Sequence, residues 1–302
     1  MFRMCGPAWR PARLRRRPVV GVLLCGVLGA VLPAGYAWCA GIPEPQIHDE
    51  FSYLLAADTY AQRRLTNPSP ELPEFFEAEH VLLVPTYMSK YPPGQGLVMA
   101  LGQVACGMPA CGVWFSCGVF AASLYWMLLG WTSARWALAT TLAAIVINMA
   151  SYWSQSYWGG MAAASGGALL FGGLRRTLRR PQMSSSLLMG LGIVVLAITR
   201  PFEGLLACLP VAASMAWWLA TDPTVRLQRK MLLWLLPVSG TCCAGAAALA
   251  LDNQAVTGAW WELPYVLHQR QYYSGGVTLF SESWIPSRIP CERIVRFYNP
   301  LS

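Results

Sequence analysis

The chain has 302 residues, of which 55% are hydrophobic and 12% charged, with a net charge of +8 and 14 Trp. A soluble domain carries about 25% charged residues, so this composition excludes an ordinary soluble protein. The basic residues come in short clusters between apolar runs, the pattern of cytoplasmic membrane loops rather than of a nucleic-acid-binding face.

The chain opens on Arg3, Arg10, Arg13, Arg15, Arg16 and Arg17, followed by the apolar run Val19 to Ala40. "AWCA" at its end resembles a signal-peptidase site, so a cleaved leader is one reading. The run is also long enough to span a bilayer, and we read it as an uncleaved first helix. Either way the next stretch lies outside the cytoplasm. Residues 1–18 are then a basic cytoplasmic N-terminus, 19–251 a transmembrane core with an external loop at 41–109, and 252–302 an external tail.

"HDEFSYLLAADTYA", from His48 to Ala61, predicts a short amphipathic helix just outside the membrane. Asp49 and Glu50 open it. One reading makes Asp49 the N-cap and Glu50 a complement to the helix dipole. The other uses the low dielectric nearby, which raises a carboxylate pKa and makes a general base. "FEAEH" follows with Glu77, Glu79 and His80, but without metal-ligand spacing, and we assign no metal site.

"YMSKYPPGQG" places Lys90 and Tyr91 before paired prolines, which start a helix without wasting donors. Lys90 either snorkels to the interface or joins the helix N-terminus in meeting a phosphate. The helix after it, Gly94 to Met108, decides the topology. About 15 helical residues reach about 22 Å, short of the roughly 30 Å hydrocarbon core. Laid along the surface, it leaves seven spans: Val19–Ala40, Ala110–Leu129, Arg135–Ala150, Gly159–Leu174, Ser186–Thr199, Gly204–Ala220 and Met231–Leu251. The loops "RRTLRR" and "RLQRK" then fall on the cytoplasmic side, as the positive-inside rule asks. Every Asp and Glu except Asp222 falls on the other side.

Two further external stretches carry candidates. "SYWSQSYWGG" repeats a triplet, so Tyr152, Trp153, Tyr157 and Trp158 form either an interfacial belt or a face for a sugar or isoprenoid. The paired glycines after it recur at helical spacing and predict close helix packing. "TRPFEG" joins two spans; Arg200 and Glu203 either pair with each other or offer a guanidinium fork to phosphate oxygens. The ten Cys form no CxxC pair and no metal set, and most sit in apolar runs as small buried hydrophobes.

Together, "HDEFSYLLAADTYAQRRLTNP", "SKYPPGQGLVMALG", "SYWSQSYWGG" and "RPFEG" resemble the GT-C superfamily of membrane glycosyltransferases. The likeness runs from about His48 to Leu251 and is strongest to the branch of the lipid A aminoarabinose transferases and protein O-mannosyltransferases. It implies an all-α polytopic fold of seven spans with juxtamembrane helices in the first external loop. It implies transfer of a sugar from a polyprenyl-phosphate carrier to a glycolipid, glycan or protein acceptor, at the external face of a bacterial inner membrane. Asp49 would be the loop-one acid with Glu50 its neighbour, and Lys90 and Arg200 would meet the donor phosphate. His48, Tyr91, Tyr152, Trp153, Tyr157, Trp158 and Glu203 would line the substrate. No cofactor is expected, and no nucleic-acid partner. Tyr91 stands between the lysine and the prolines here, a departure from the superfamily's pattern. The tail is shorter than in the superfamily and reads as truncated or divergent. The competing class is a transporter, lipid flippase or non-catalytic membrane subunit. It would place ionisable residues near the bilayer midplane or show inverted repeats, and the sequence shows neither.

Overall fold

The computed structural model describes residues 17–221 and 228–272, with the side chains of 228–231 left aside. The arginines up to Arg16, Arg226 and the tail 273–302 lie outside the described residues. In chain order the helices are α1 (Arg17–Ala40), α2 (His48–Ala61), α3 (Pro93–Cys106), α4 (Pro109–Trp131) and α5 (Ala134–Asn148). They continue with α6 (Gly160–Arg179), α7 (Met183–Thr199), α8 (Pro201–Thr221), α9 (Gln228–Thr257) and α10 (Pro264–Tyr272). Four stretches within these helices, 18–40, 109–131, 201–221 and 232–257, are long and apolar enough to cross a membrane, and α5 and α7 are shorter apolar helices. α6 falls in neither group, because glycines and the arginines of its last turns dilute its apolar content.

α4 is the hub, packed on α1, α3, α5 and α6, while α7 joins α6 to α8 and α9. Small residues let the backbones meet. A Cβ on Gly102 of α3 would strike the backbone of Gly112 in α4, and one on Gly192 of α7 would sit 2.6 Å from the carbonyl oxygen of Gly166 in α6. In lipid, such close approach gives the dispersion contacts that apolar burial alone does not. Between these seams lie two apolar layers. Cys25, Ala121, Tyr125, Ala137 and Ile145 join α1, α4 and α5. Leu170, Leu174, Met189, Leu196, Val211 and Met215 join α6, α7 and α8.

One boundary differs from the sequence expectation. The tail was expected from residue 252, but α9 runs on to Thr257 and ends only at Gly258, whose φ of +84° suits glycine. Asp252 stays in the helix because it is buried and accepts a hydrogen bond from Tyr60 (3.2 Å). Within this mostly helical fold, the loop between α2 and α3 carries a small antiparallel sheet, β1 (Asn67–Pro68), β2 (Val81–Leu82) and β3 (Thr86–Ser89), in the order β1-β3-β2.

Contacts distant in sequence gather one end of the bundle. The Tyr157 hydroxyl donates to the Pro43 carbonyl (2.7 Å), Thr86 to Val256 (2.8 Å) and the Gln271 amide to Val84 (2.8 Å). The loop 41–108, the turn 149–159 and the segment 258–272 therefore share that end. At the other end Arg176 stacks on Trp126 at 3.9 Å and donates to its carbonyl (2.6 Å). Arg175 lies 5.0 Å from the Trp131 ring.

Candidate functional site

α2 starts with an extended Ile47 at the N-cap, whose side chain has no oxygen to offer. Glu50, third in the helix, supplies one instead. Its Oε2 accepts from the backbone N–H of Gln46 (2.7 Å) and of Ile47 (3.2 Å), and its Oε1 accepts from the N–H of Tyr157 (2.8 Å). Glu50 is 0% exposed. Both oxygens are thus engaged in capping α2 and tying it to the turn after α5. The capping reading placed this job on Asp49; the structure gives it to Glu50 and leaves Asp49 facing elsewhere.

Asp49 Oδ1 accepts a hydrogen bond from the Tyr91 hydroxyl and lies 3.1 Å from His80 Nε2, and its side chain is 20% exposed. The hairpin between β2 and β3 makes this meeting possible. Val81 pairs with Ser89 across it, and the Lys90 N–H donates to the His80 carbonyl (3.2 Å). That carbonyl also accepts from Ser52 Oγ (2.7 Å), which bonds Ser89 Oγ (2.7 Å), which in turn accepts from the Tyr91 N–H (3.1 Å). Two serines thus fix His80, Lys90 and Tyr91 around one carboxylate.

Lys90 is 5% exposed, its ammonium 5.3 Å from the Tyr91 ring and 5.1 Å from that of Tyr265 on α10. Burial pushes its pKa down to about 8, and the Asp49 charge works against the drop. Burial first, and the Lys90 charge second, hold His80 down at about 4. His80 is therefore neutral at physiological pH, and its 3.1 Å approach to Asp49 is a polar contact of a neutral imidazole. His268 on α10 lies 6.5 Å from the His80 ring and is held down for the same reasons.

The start of α3 brings this cluster to the α7–α8 junction. A Cβ on Gly94 would sit 2.7 Å from the Ile198 carbonyl oxygen, so only a glycine lets the Pro-Pro turn lie against the end of α7. Arg200 follows one residue after that helix. It pairs with Glu203 at 3.4 Å, and its Cζ is 5.6 Å from the Trp158 ring centroid. The bridge between the two halves is Tyr53, which stacks on Tyr91 (centroids 4.6 Å, 22°). Its hydroxyl pKa is raised mainly by burial, and the charges of Arg200, Asp49 and Glu203 also act on it. Trp153 and Trp158 stack at 5.9 Å and 28°, with Tyr152 edge-on to Trp158 at 5.8 Å. Asp49 and Glu50 both act on the Tyr152 hydroxyl.

Of the residues expected from sequence, Asp49, Lys90, Tyr91, Arg200, Glu203, Tyr152, Trp153 and Trp158 come together at this end. Tyr157 does not join the aromatic face: it is buried in the core beside Tyr53, Met99 and Trp114, and its carbonyl accepts from Gln95 (3.0 Å). Its role is to dock the turn onto α3. His48 lies on the outer flank of α2, 3.3 Å from Glu79. Sequence reasoning left out Tyr53, Tyr265 and His268 and weighed His80 only as a metal ligand. Among the described residues, no group of three or more His, Cys, Asp or Glu is arranged to hold a metal ion.

No protein-family model, no curated protein and no solved structure matches this chain.

Proposed function

We propose that this chain is a membrane glycosyltransferase that moves a sugar from a polyprenyl-phosphate carrier to an acceptor hydroxyl at the external face of the membrane. In this reading α1 and α4 to α9 are seven spans, α3 lies at the interface, and the N-terminus is cytoplasmic. The observation that carries it is the meeting of Asp49, Lys90 and Tyr91, with Arg200 reached through Tyr53. A base and two cations converge there on one rim of an apolar bundle.

The chemistry follows from that charge arrangement. The acceptor hydroxyl gives its proton to Asp49, and its oxygen bonds the anomeric carbon. The bond from that carbon to the phosphate oxygen breaks, and its electron pair stays on the phosphate. Lys90 and Arg200 stabilise this growing negative charge, and burial strengthens the effect by excluding water. The stacked Trp153 and Trp158 offer apolar faces to a sugar ring or isoprenoid beside that phosphate.

Two measurements test it. Lys90→Ala is expected to raise KM for the lipid-linked donor about tenfold or more while acceptor KM changes little, as loss of a charge-assisted contact implies. With its pKa near 8, Lys90 is charged at pH 7 and loses that charge as pH rises through about 8. Donor affinity is therefore expected to fall above that pH, and Lys90→Arg, which stays charged, to remove this alkaline limb. Equal effects on donor and acceptor would take Lys90 off the phosphate.

Topology is read by cysteine labelling. In this reading Gln182, exposed before α7, is cytoplasmic, and the exposed Cys106 at the end of α3 is external. An impermeant maleimide applied to intact cells is expected to label Cys106 and to spare Gln182→Cys. Labelling at position 182 would put the α6–α7 turn outside and dismantle the seven-span arrangement.

A further inference from the structure

A groove of ≈ 500 Å³ runs along the flank of α2 that faces away from the core, lined by His48, Phe51, Leu54, Leu55, Asp58, Ala78, Glu79, Val81 and Tyr87. Its volume is in the range of ligand sites. At one end His48 meets Glu79 (3.3 Å), and Glu79 also acts electrostatically on His80, the partner of Asp49. At the other end stands Asp58, exposed, hydrogen-bonded to the neutral amides of Gln62 (2.7 Å) and Gln103 (3.1 Å). Between them the floor is apolar, and Phe51 is 56% exposed. From His48 to Asp58 the helix rises about 15 Å at about 1.5 Å per residue. An extended peptide of four to five residues, at about 3.4 Å each, has that length.

We propose that this groove binds a peptide segment of alternating basic and apolar residues which, on the transferase reading above, is the acceptor. Charge complementarity sets the sign. Carboxylates stand at both ends, Glu79 beside His48 and Asp58 beside neutral amides; among the described residues no Lys or Arg lines the groove, and Glu71, Glu74 and Glu77 sit on the loop that leads into it. An acidic or phosphorylated acceptor would meet like charge at each end, which disfavours it. A basic segment gains at both ends and buries its apolar side chains on Phe51, Leu54 and Leu55.

The test uses the full chain in zwitterionic phosphatidylcholine nanodiscs and a fluorescein-labelled peptide, lysine–leucine–serine–leucine–lysine, followed by anisotropy. The peptide is expected to bind, and its counterpart with glutamates for lysines to bind at least about tenfold more weakly. Asp58→Lys is expected to weaken the basic peptide about tenfold. Because Asp58 also ties α2 to Gln103, Phe51→Ser on the exposed floor provides a second variant, expected to weaken it several-fold. Undetectable binding, equal binding of the acidic peptide, or unchanged affinity in both variants would overturn the proposal. Sugar transfer to the serine is scored separately. Groove-dependent binding without transfer keeps the groove and counts against the transferase, whereas transfer to another acceptor without peptide binding removes the groove alone.

Discussion

Asp49→Asn is expected to lower the rate of sugar transfer by about 10²–10⁴-fold, the usual contribution of a general base, while the protein still folds and inserts. Asparagine keeps the shape of the side chain and can still accept from Tyr91 through its amide oxygen. What it lacks is the ability to take a proton. Oδ1 already accepts from Tyr91 and lies 3.1 Å from His80 Nε2, so we assign the acceptor hydroxyl to the other carboxylate oxygen. Tyr91→Phe separates base from positioning: the carboxylate remains but loses one donor. A drop of about tenfold is expected there, the equivalent of about one hydrogen bond. The measurement is single-turnover transfer from a polyprenyl-phosphate sugar, with thermal unfolding in the same detergent as the control. Full activity of Asp49→Asn would remove the carboxylate from the mechanism.

Four of the expected spans, within α1, α4, α8 and α9, were legible because each is a long apolar run, and hydropathy alone reports that. The other expected spans are the shorter apolar α5 and α7 and the glycine-rich α6. Their ends were less so, for local reasons. α6 continues through Arg175 and Arg176 because their guanidinium groups lie over the rings of Trp131 and Trp126 of α4 and Arg176 donates to the Trp126 carbonyl, which composition does not show. α9 continues through Asp252 because Tyr60, far away in sequence, supplies its partner. The site was legible where its signals are local: an acid pair after a span, a lysine before two prolines, a repeated SYW triplet. His80 needed the β2–β3 hairpin to reach Asp49, and "VLLVPTYMS", two short apolar runs about a Val-Pro turn, was the signal for that hairpin. Tyr265 and His268 left no such trace. They reach Lys90 and His80 only because α9 returns the chain to the same end of the bundle.

Glu50 and Asp49 are neighbours with opposite expected behaviour, and this makes Glu50 the sharper test of how the acid pair is divided. Glu50→Ala leaves the N–H groups of Gln46, Ile47 and Tyr157 without their acceptor. An unsatisfied buried polar group costs about 1–3 kcal/mol, and the Tyr157 bond is fully buried while the other two are partly so. A loss of about 3–5 kcal/mol follows, a large part of the 5–15 kcal/mol typical of a folded domain. Little folded protein is then expected by size-exclusion chromatography. Glu50→Gln is expected to lie between Ala and wild type, because its NH₂ must face either the Tyr157 N–H or the Gln46–Ile47 pair, donor against donor. The damage should appear as a lowered Tm, with transfer per folded molecule largely kept. A Glu50→Gln protein with unchanged Tm and no turnover would reverse the assignment, making Glu50 the proton acceptor and Asp49 its support.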